Sequence, residues 1–180
     1  MTNNYIINKI NWRQILTHLF ATIFFIQAAR QFSMLNDIEI LKAIDKYGYP
    51  EALKYIVDQG NTGQRLFHFT LWINISVPIA LLIAFIISVI LTRKNKGFLQ
   101  NSLIVLLIAI LFNRLVFLDN KVIRIIFFSF GDLFSKVGLQ YKFLANGVVL
   151  TLIGTFIFFN KLISNFAFNL RTKQQMNNVS

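Results

Sequence analysis

Residue types suited to catalysis or metal binding are scarce in this chain. It has no cysteine and only two histidines, His18 and His68, so thiol catalysis, disulfides and cysteine metal sites are excluded. The sequence also lacks HExxH, GxSxG, a phosphate-binding loop and paired intramembrane aspartates, which intramembrane proteases and many hydrolases require. We therefore predict that the protein is not an enzyme and holds no cofactor or metal ion.

The remaining candidates are polar residues in or beside apolar segments, because such residues are costly in lipid. They are Arg114, Asn113, His18, His68, Asp119, Arg124 and Asp132. Arg114 lies more than one helical turn inside the apparent end of its apolar segment, so it needs a partner. Asp132, Asp37 and Glu39 are the available carboxylates. Either Arg114 extends outward and anchors the rim of the bundle, or it receives an anionic headgroup or substrate.

The composition identifies the class of protein. Hydrophobic residues make up 56% of the 180 residues and charged residues 14%, yet the formal net charge is +11; soluble domains carry about 25% charged residues. Such hydrophobicity excludes disorder over most of the length and does not fit a basic nucleic-acid-binding domain. The chain is therefore predicted to be a membrane protein. Its many Ile, Phe, Asn and Lys residues, which have A/T-rich codons, favour a bacterial source.

Intervals free of charge locate four apolar segments near the length of about 20 residues that crosses a bilayer. We predict an all-α, polytopic membrane protein whose single membrane domain, 14–163, is a bundle of four transmembrane helices. The spans are about 14–34, 69–92, 98–118 and 143–162. The first has an alternative interpretation as a cleaved signal peptide, since Lys9 and Arg13 precede an apolar run ending at Ala28-Ala29. Signal peptides are cleaved after a small-x-small pattern, and Gln27 stands where that pattern requires its first small residue. This favours an uncleaved span.

The distribution of charge predicts an orientation. The predicted determinants are Lys9, Arg13, Arg93, Lys94, Lys96 and Lys161, which lie in or beside segments 1–13, 93–97 and the tail 164–180. All seven acidic residues fall on the opposite side. Cations in short loops mark the cytoplasmic side, so we predict a bacterial inner-membrane protein with both ends in the cytoplasm. The reverse orientation is the alternative. His18 and His68 then lie near opposite faces, so each is more typical of a hydrogen bond between helices than of a ligand.

The outer connection 35–68 is predicted to contain two short amphipathic helices. The first begins near Asn36, with Glu39 three residues later as in a capping box, and ends at Gly48. The second starts around Pro50 and ends at Gly60. The apolar stripes are Ile40, Leu41, Ile44 and Tyr47, followed by Leu53, Ile56 and Val57. These helices either cover the ends of the bundle or form a lid or docking surface.

The outer segment 119–142 is too charged for a clean span and too apolar for a solvated loop. We predict an interfacial or re-entrant helix, interrupted at Gly131 and Gly138. A helix that crosses the membrane over 122–137 is the alternative. Further along, Gly147 and Gly154 are seven residues apart on one helix face, which predicts a close contact with another helix.

The sequence favours a non-enzymatic subunit or accessory of a membrane complex. The alternative is a small transporter or lipid-handling protein that uses the outer rim around Arg114. Expected partners are membrane lipids, anionic on the cytoplasmic face, and another membrane protein or a second copy, but not nucleic acid. The four-span layout with Gly48-Tyr49-Pro50 after the first span is similar to short membrane proteins of the DoxX kind, and this likeness implies no particular function.

Overall fold

A computed structural model describes residues 10–58, 63–94, 97–115, 127 and 129–160, without the side chains of residues 49, 50, 53, 114 and 115. This part of the chain is all-helical. The helices are α1 (Trp12–Met34), α2 (Ile38–Tyr47), α3 (Tyr49–Asp58), α4 (Gly63–Thr92), α5 (Phe98–Leu115) and α6 (Leu139–Phe159), with a short 3-10 helix at Asp132–Phe134. Helices α1, α4 and α6 are long and apolar enough to cross a membrane, and α5 is a shorter apolar helix.

The structure exposes apolar side chains and buries polar ones. Leu107, Leu152 and Phe156 are each at least three-fifths exposed on the outer faces of the bundle, whereas Asn101 and Asn146 are fully buried. Water favours the opposite arrangement, and exposed apolar surface of this extent marks contact with lipid or protein. Together with the lengths of α1, α4 and α6, this distribution indicates a multi-pass membrane protein.

Helix α1 lies at the centre of the bundle. It contacts α4, α5 and, most extensively, α6. Gly147 and Gly154 of α6 make this contact close, because a Cβ atom at either position would lie 2.7–2.8 Å from the ring of Phe32 or Phe25 on α1. The predicted close contact at this pair of glycines is confirmed. A middle apolar layer formed by Ala21, Ile26, Ala80, Leu81, Ala84, Ala109 and Phe158 fills the space between the helices.

Hydrogen bonds and ring contacts fix which helix ends lie together. The Asn11 N–H group donates to Asn101 Oδ1 at 3.1 Å, so α1 and α5 start at the same end. The ring of His18, near the start of α1, lies 5.1 Å from that of Phe158, near the end of α6. We call this the cationic end. At the other, acidic end lie all the described acidic residues: Asp37, Glu39, Asp45, Glu51, Asp58 and Asp132.

A compact cap covers the acidic end. It consists of α2, α3 and the first two turns of α4, which share a core of Ile40, Ala43, Ala52, Ile56 and Phe69. The two short helices predicted between the first and second spans are confirmed, and Gly48 ends α2 with a φ of +79°, which favours glycine. Val57 was predicted to lie on the buried stripe but is 55% exposed, and Tyr47 packs against Tyr55 with ring centroids 4.8 Å apart.

Asp37 both starts α2 and ties it to α4. Its carboxylate accepts the backbone N–H of Ile40 at 3.1 Å, so the predicted start at Asn36 is wrong by one residue. Arg65 donates to Asp37 Oδ1 at 2.8 Å and to Glu39 Oε2 at 2.7 Å. Burial alone would raise the pKa of Asp37, but the hydrogen bond from Arg65 and two backbone donors outweigh burial and lower that pKa.

Two helices begin earlier than the predicted spans. Helix α4 begins at Gly63, six residues before the predicted span, and α6 runs from Leu139, four residues before its predicted span, to Phe159. The predictions stopped at Arg65 and Lys142 because these are charged. Both cations, however, lie in the first turns of their helices and form ion pairs there. Arg65 pairs with Glu39 at 2.7 Å, and Lys142 pairs with Asp132 at 2.7 Å. The predicted end of the third span, 118, lies outside the described residues.

Of the predicted outer segment 119–142, the structure describes Phe127 and the residues from 129 onward. Phe127 is buried, and its ring lies 5.2 Å from that of Phe24 on α1. The chain then turns sharply, with Leu133 87% exposed. The predicted interruption at Gly131 is confirmed: its N–H group donates to Asn146 Oδ1 at 2.6 Å, and a Cβ atom there would lie 2.1 Å from the Lys142 carbonyl oxygen.

Replacing Gly131→Ala is therefore expected to destabilise the protein by about 1–3 kcal/mol, the usual cost of overpacking. The added methyl group must push the turn away from α6 and weaken the bond to Asn146. Chemical unfolding of the purified protein in detergent measures the change. Gly63→Ala is the matched control, because nothing lies within 4 Å of a Cβ atom there. Equal stability of the two variants would contradict the close approach.

Candidate functional site

The central helix α1 carries two groups of buried polar residues, separated by the middle apolar layer. The cationic-end cluster comprises Gln14, His18, Ser88, Asn101 and Ser102, and the acidic-end cluster comprises Arg30, Gln31 and Asn113. Most of these side chains are buried. Polar groups buried in a membrane bundle either join helices or mark a site, so each cluster is described in turn.

In the cationic-end cluster, His18 begins a chain of hydrogen bonds through three helices. Its Nδ1 atom lies 2.7 Å from Ser88 Oγ on α4, which lies 2.8 Å from Ser102 Oγ on α5. All three residues are buried. The chain holds α1, α4 and α5 at a common depth, and a hydroxyl can serve as donor or acceptor at each step.

The same cluster continues to the start of α1. Asn11 caps the helix, accepting the Gln14 backbone N–H at its Oδ1 atom at 3.1 Å. The Gln14 side chain is 8% exposed, and neither of its amide atoms has a hydrogen-bond partner among the described residues. A buried amide without a partner costs about 1–3 kcal/mol. Gln14 is therefore the part of this cluster that is available to a ligand or a water molecule.

The acidic-end cluster contains a cation with a neutral partner. Arg30 Nη2 donates to Asn113 Oδ1 at 2.9 Å, joining the ends of α1 and α5. Within the described part of the chain, no carboxylate forms an ion pair with Arg30. The next residue, Gln31, is fully buried, and neither of its amide atoms has a described partner. Arg30 thus offers a positive charge, a group that binds a phosphate or carboxylate, and the Gln31 amide is a separate, fully buried polar group on the next residue of α1.

The predicted site residues are distributed over both ends of the bundle. Asn113 is in the acidic-end cluster and His18 in the other. His68 is exposed at the acidic end beside the ring of Phe67. It lies 20 residues before Ser88 on the same helix (88 − 68), or about 30 Å, so the two histidines are far apart, as predicted. Asp132 pairs with Lys142.

Several predicted residues lie outside the described part of the chain. These are Asp119, Arg124, Lys9, Lys96 and Lys161, together with the side chain of Arg114. The structure does give a partner to each carboxylate suggested for Arg114: Asp37 and Glu39 bind Arg65, and Asp132 binds Lys142. Of the other topology determinants, Arg13 lies in the first turn of α1, and Arg93 and Lys94 are exposed at the cationic end.

Arg30, Gln31, Ser88 and Ser102 were not among the site residues predicted from the sequence. A signal for the serines exists in the sequence. Each lies seven residues from Asn95, the midpoint in sequence between the end of α4 at Thr92 and the start of α5 at Phe98 (95 − 88 and 102 − 95). In antiparallel helices joined by a short turn, residues equally far from the turn lie at the same depth. Such a pair of small polar residues predicts a contact between the two helices.

The described residues contain no group of three His, Asp or Glu side chains close enough to share a metal ion. The arrangement is instead suited to hydrogen bonding between helices and to holding a polar or anionic group at an end of the bundle.

Replacing Ser88→Ala is expected to destabilise the bundle because it leaves His18 Nδ1 buried without its partner. In the double variant with His18→Phe, the two effects should be less than additive, with a coupling of about 0.6 kcal/mol and at most about 1.7. Unfolding of the four proteins in mixed micelles measures it. Ser76→Ala is the control, since among the described residues the Ser76 hydroxyl bonds within α4, to the Ile73 carbonyl at 2.7 Å. Fully additive effects would contradict the contact.

Comparisons of the chain with protein-family models, with curated proteins and with solved structures give no match.

Proposed function

We propose that this chain is a non-enzymatic integral membrane protein with four spans, and that it serves as a subunit or accessory of a larger membrane complex. The fourth span is α5. Its 18 residues extend about 27 Å, close to the thickness of the hydrocarbon core. Both of its ends bond to α1, through Asn101 and through Asn113. These contacts support a path through the bilayer parallel to α1.

The two tryptophans support the proposed limits of the bilayer. Trp12 is exposed at the cationic end of α1, and Trp72 is 49% exposed on α4. Tryptophan is enriched at both membrane–water interfaces. From Trp72 to the end of α4 at Thr92 the helix extends about 30 Å, one hydrocarbon thickness. This spacing supports a bilayer whose hydrocarbon excludes the cap and the first turns of α4.

The charges support an orientation with the cationic end in the cytoplasm. Arg13, Arg93 and Lys94 lie at that end, and every described acidic residue lies at the other. Because cations next to short loops are retained on the cytoplasmic side, the cap faces the outside. In a bacterium the membrane is the inner membrane.

The observation that carries the proposed role is the cap, whose helices share an apolar core and are tied to α4 by ion pairs. The Arg65 pairs with Asp37 and Glu39 lock it onto α4. Its surface presents the Tyr47–Tyr55 pair and the exposed Val57 outside the proposed bilayer. Tyrosine is enriched in protein interfaces, and apolar groups exposed to water are suited to binding a partner protein.

A lipid-handling protein is the second candidate, favoured by the acidic-end cluster. Arg30 has a neutral described partner, and the buried Gln31 amide next to it has none. The partly exposed guanidinium of Arg30 is the group that would receive an anionic headgroup. In that case the purified protein retains an anionic lipid, and Arg30→Leu abolishes the retention. A retained partner protein, with no effect of Arg30→Leu, supports the complex.

Photo-crosslinking in native membranes tests the docking role. A benzophenone amino acid in place of Tyr55 is expected to give a discrete adduct with another protein, because this side chain is exposed on the cap. The same group in place of Leu82 is the control, since Leu82 is similarly exposed on α4 within the proposed bilayer. It should give no protein adduct. Absence of a protein adduct at Tyr55, or the same adduct at both positions, would contradict the proposal.

A further inference from the structure

The turn that precedes α6, residues 129–138, exposes apolar side chains at the acidic end of the bundle. Leu133 is 87% exposed and Val137 is 68% exposed, and Phe134 between them is exposed as well. We call this segment the apolar turn. Side chains as apolar and as exposed as these mark contact with lipid or with protein, and the level of the turn relative to the bilayer decides between the two.

Contacts between α1 and α4 relate the levels of these two helices. His18 on α1 bonds to Ser88 on α4. Trp72 lies 16 residues closer to the acidic end than Ser88 (88 − 72), and the same number of steps from His18 along α1 leads to Met34 (18 + 16). The last turn of α1 is therefore level with Trp72, to within about one helical turn.

Contacts of α6 bring the apolar turn to the same level. Gly147 on α6 approaches the ring of Phe32 in the last turn of α1. The adjacent Asn146 accepts the N–H group of Gly131 at 2.6 Å. Gly131 is therefore held at the level of Trp72, which supports the proposed limit of the hydrocarbon on this side.

From Gly131 the chain continues away from the hydrocarbon. Asp132 pairs with Lys142 at 2.7 Å, and Leu139 lies seven residues beyond Asn146 along α6 (146 − 139), or about 10 Å. The polar layer between hydrocarbon and water is about 5–7 Å thick on each side of a bilayer. The exposed apolar side chains of the turn thus lie at the level of the lipid headgroups.

The residue types of the apolar turn are suited to lipid. Segments that lie in the membrane interface combine Leu and Phe on their buried side with Lys on the polar side. Lys136 is exposed, and within the described ranges no carboxylate forms an ion pair with it, whereas Asp132 is paired with Lys142. The turn therefore has a cation available for a phosphate. The exposed rings of the cap, by contrast, carry the hydroxyl groups of tyrosine.

We infer that the apolar turn is embedded in the lipid leaflet at the acidic end. Leu133, Phe134 and Val137 insert beneath the headgroups, and Lys136 binds a lipid phosphate. The inference rests on the proposed passage of the bundle through the membrane and goes beyond the proposed function, because it assigns lipid as the partner of this surface. It does not depend on the docking role of the cap.

Spin labels on single cysteines test the inference, since the chain has no cysteine of its own. The labelled variants are Leu133→Cys, Leu152→Cys and Tyr55→Cys, in nanodiscs of equal amounts of phosphatidylcholine and phosphatidylglycerol. Leu152 is exposed on α6 within the proposed bilayer, and Tyr55 is exposed on the cap. Each label is compared by its collisions with oxygen, which concentrates in lipid, and with a nickel chelate, which stays in water.

The ratio of oxygen to nickel collisions is expected to be highest at 152 and lowest at 55. At 133 it should be several times the ratio at 55. A ratio at 133 equal to that at 55 would overturn the inference, because the turn would then lie in water. An immobile label at 133, protected from both reagents, would also overturn it, because a second copy or another protein would then cover the turn.

The lysine provides a second test with a matched control. Lys136→Glu is expected to shift the label at 133 toward water and to increase its collisions with the nickel chelate, because lipid phosphates repel the reversed charge. Lys54→Glu, which reverses an exposed cation on the cap, should leave the label unchanged. The same response to both substitutions would overturn the inference.

The outcome is separable from that of the proposed function. Nickel collisions at 152 as frequent as those at 55 would contradict the proposed passage through the membrane and the lipid contact together. A water-exposed label at 133 with an oxygen-rich label at 152 overturns the lipid contact alone.

Discussion

The central constraint on this structure is that the polar side chains of α1 must find partners away from water. In hydrocarbon, an unsatisfied polar group costs several kcal/mol. The His18–Ser88–Ser102 chain at one end and the Arg30–Asn113 bond at the other meet this requirement for His18 and Arg30, whereas the buried amides of Gln14 and Gln31 have no partner among the described residues. A helix with this many polar groups cannot face lipid, so α1 is central and the more apolar helices surround it. The His18–Ser88 bond also sets the depth of α4 relative to α1, and the Arg30–Asn113 bond sets the depth of α5 relative to α1.

Packing then follows from the sizes of the side chains. Gly147 and Gly154 allow α6 to approach α1 closely enough to receive the rings of Phe32 and Phe25. Lipid tails are as apolar as leucine, so such contacts stabilise a membrane bundle through close packing more than through burial from water. The cap follows a different rule. In the proposed arrangement it lies in water, and it is accordingly built on a small apolar core and a group of ion pairs around Arg65.

Much of the fold could be predicted from the sequence, because the apolar lengths and the turn residues are local signals. The four apolar helices, the two short outer helices and the interruption at Gly131 are examples. Helices α4 and α6 extend beyond the predicted spans, because the spans were bounded by charged residues and the helices continue past them. Whether Arg65 or Lys142 lies inside a helix depends on a carboxylate that is distant in sequence. The two clusters were only partly predicted for a similar reason: Arg30 and Asn113 are 83 residues apart, so their contact depends on the tertiary packing.

The central claim is that four helices cross the membrane with the cationic end in the cytoplasm. Measuring which residues are accessible from outside the cell tests it most directly, and the absence of cysteine from the chain makes this measurement simple. Single cysteines replace Asp45, Asn95 and Ser180 in turn, and intact cells are treated with a maleimide that cannot cross the membrane. With four spans and a cytoplasmic cationic end, Asp45→Cys reacts in intact cells, whereas Asn95→Cys and Ser180→Cys react only after the membrane is opened. Reaction of Ser180→Cys together with Asp45→Cys would show an odd number of spans. Reaction of Asn95→Cys and Ser180→Cys alone would show the reverse orientation. Either result would contradict the account.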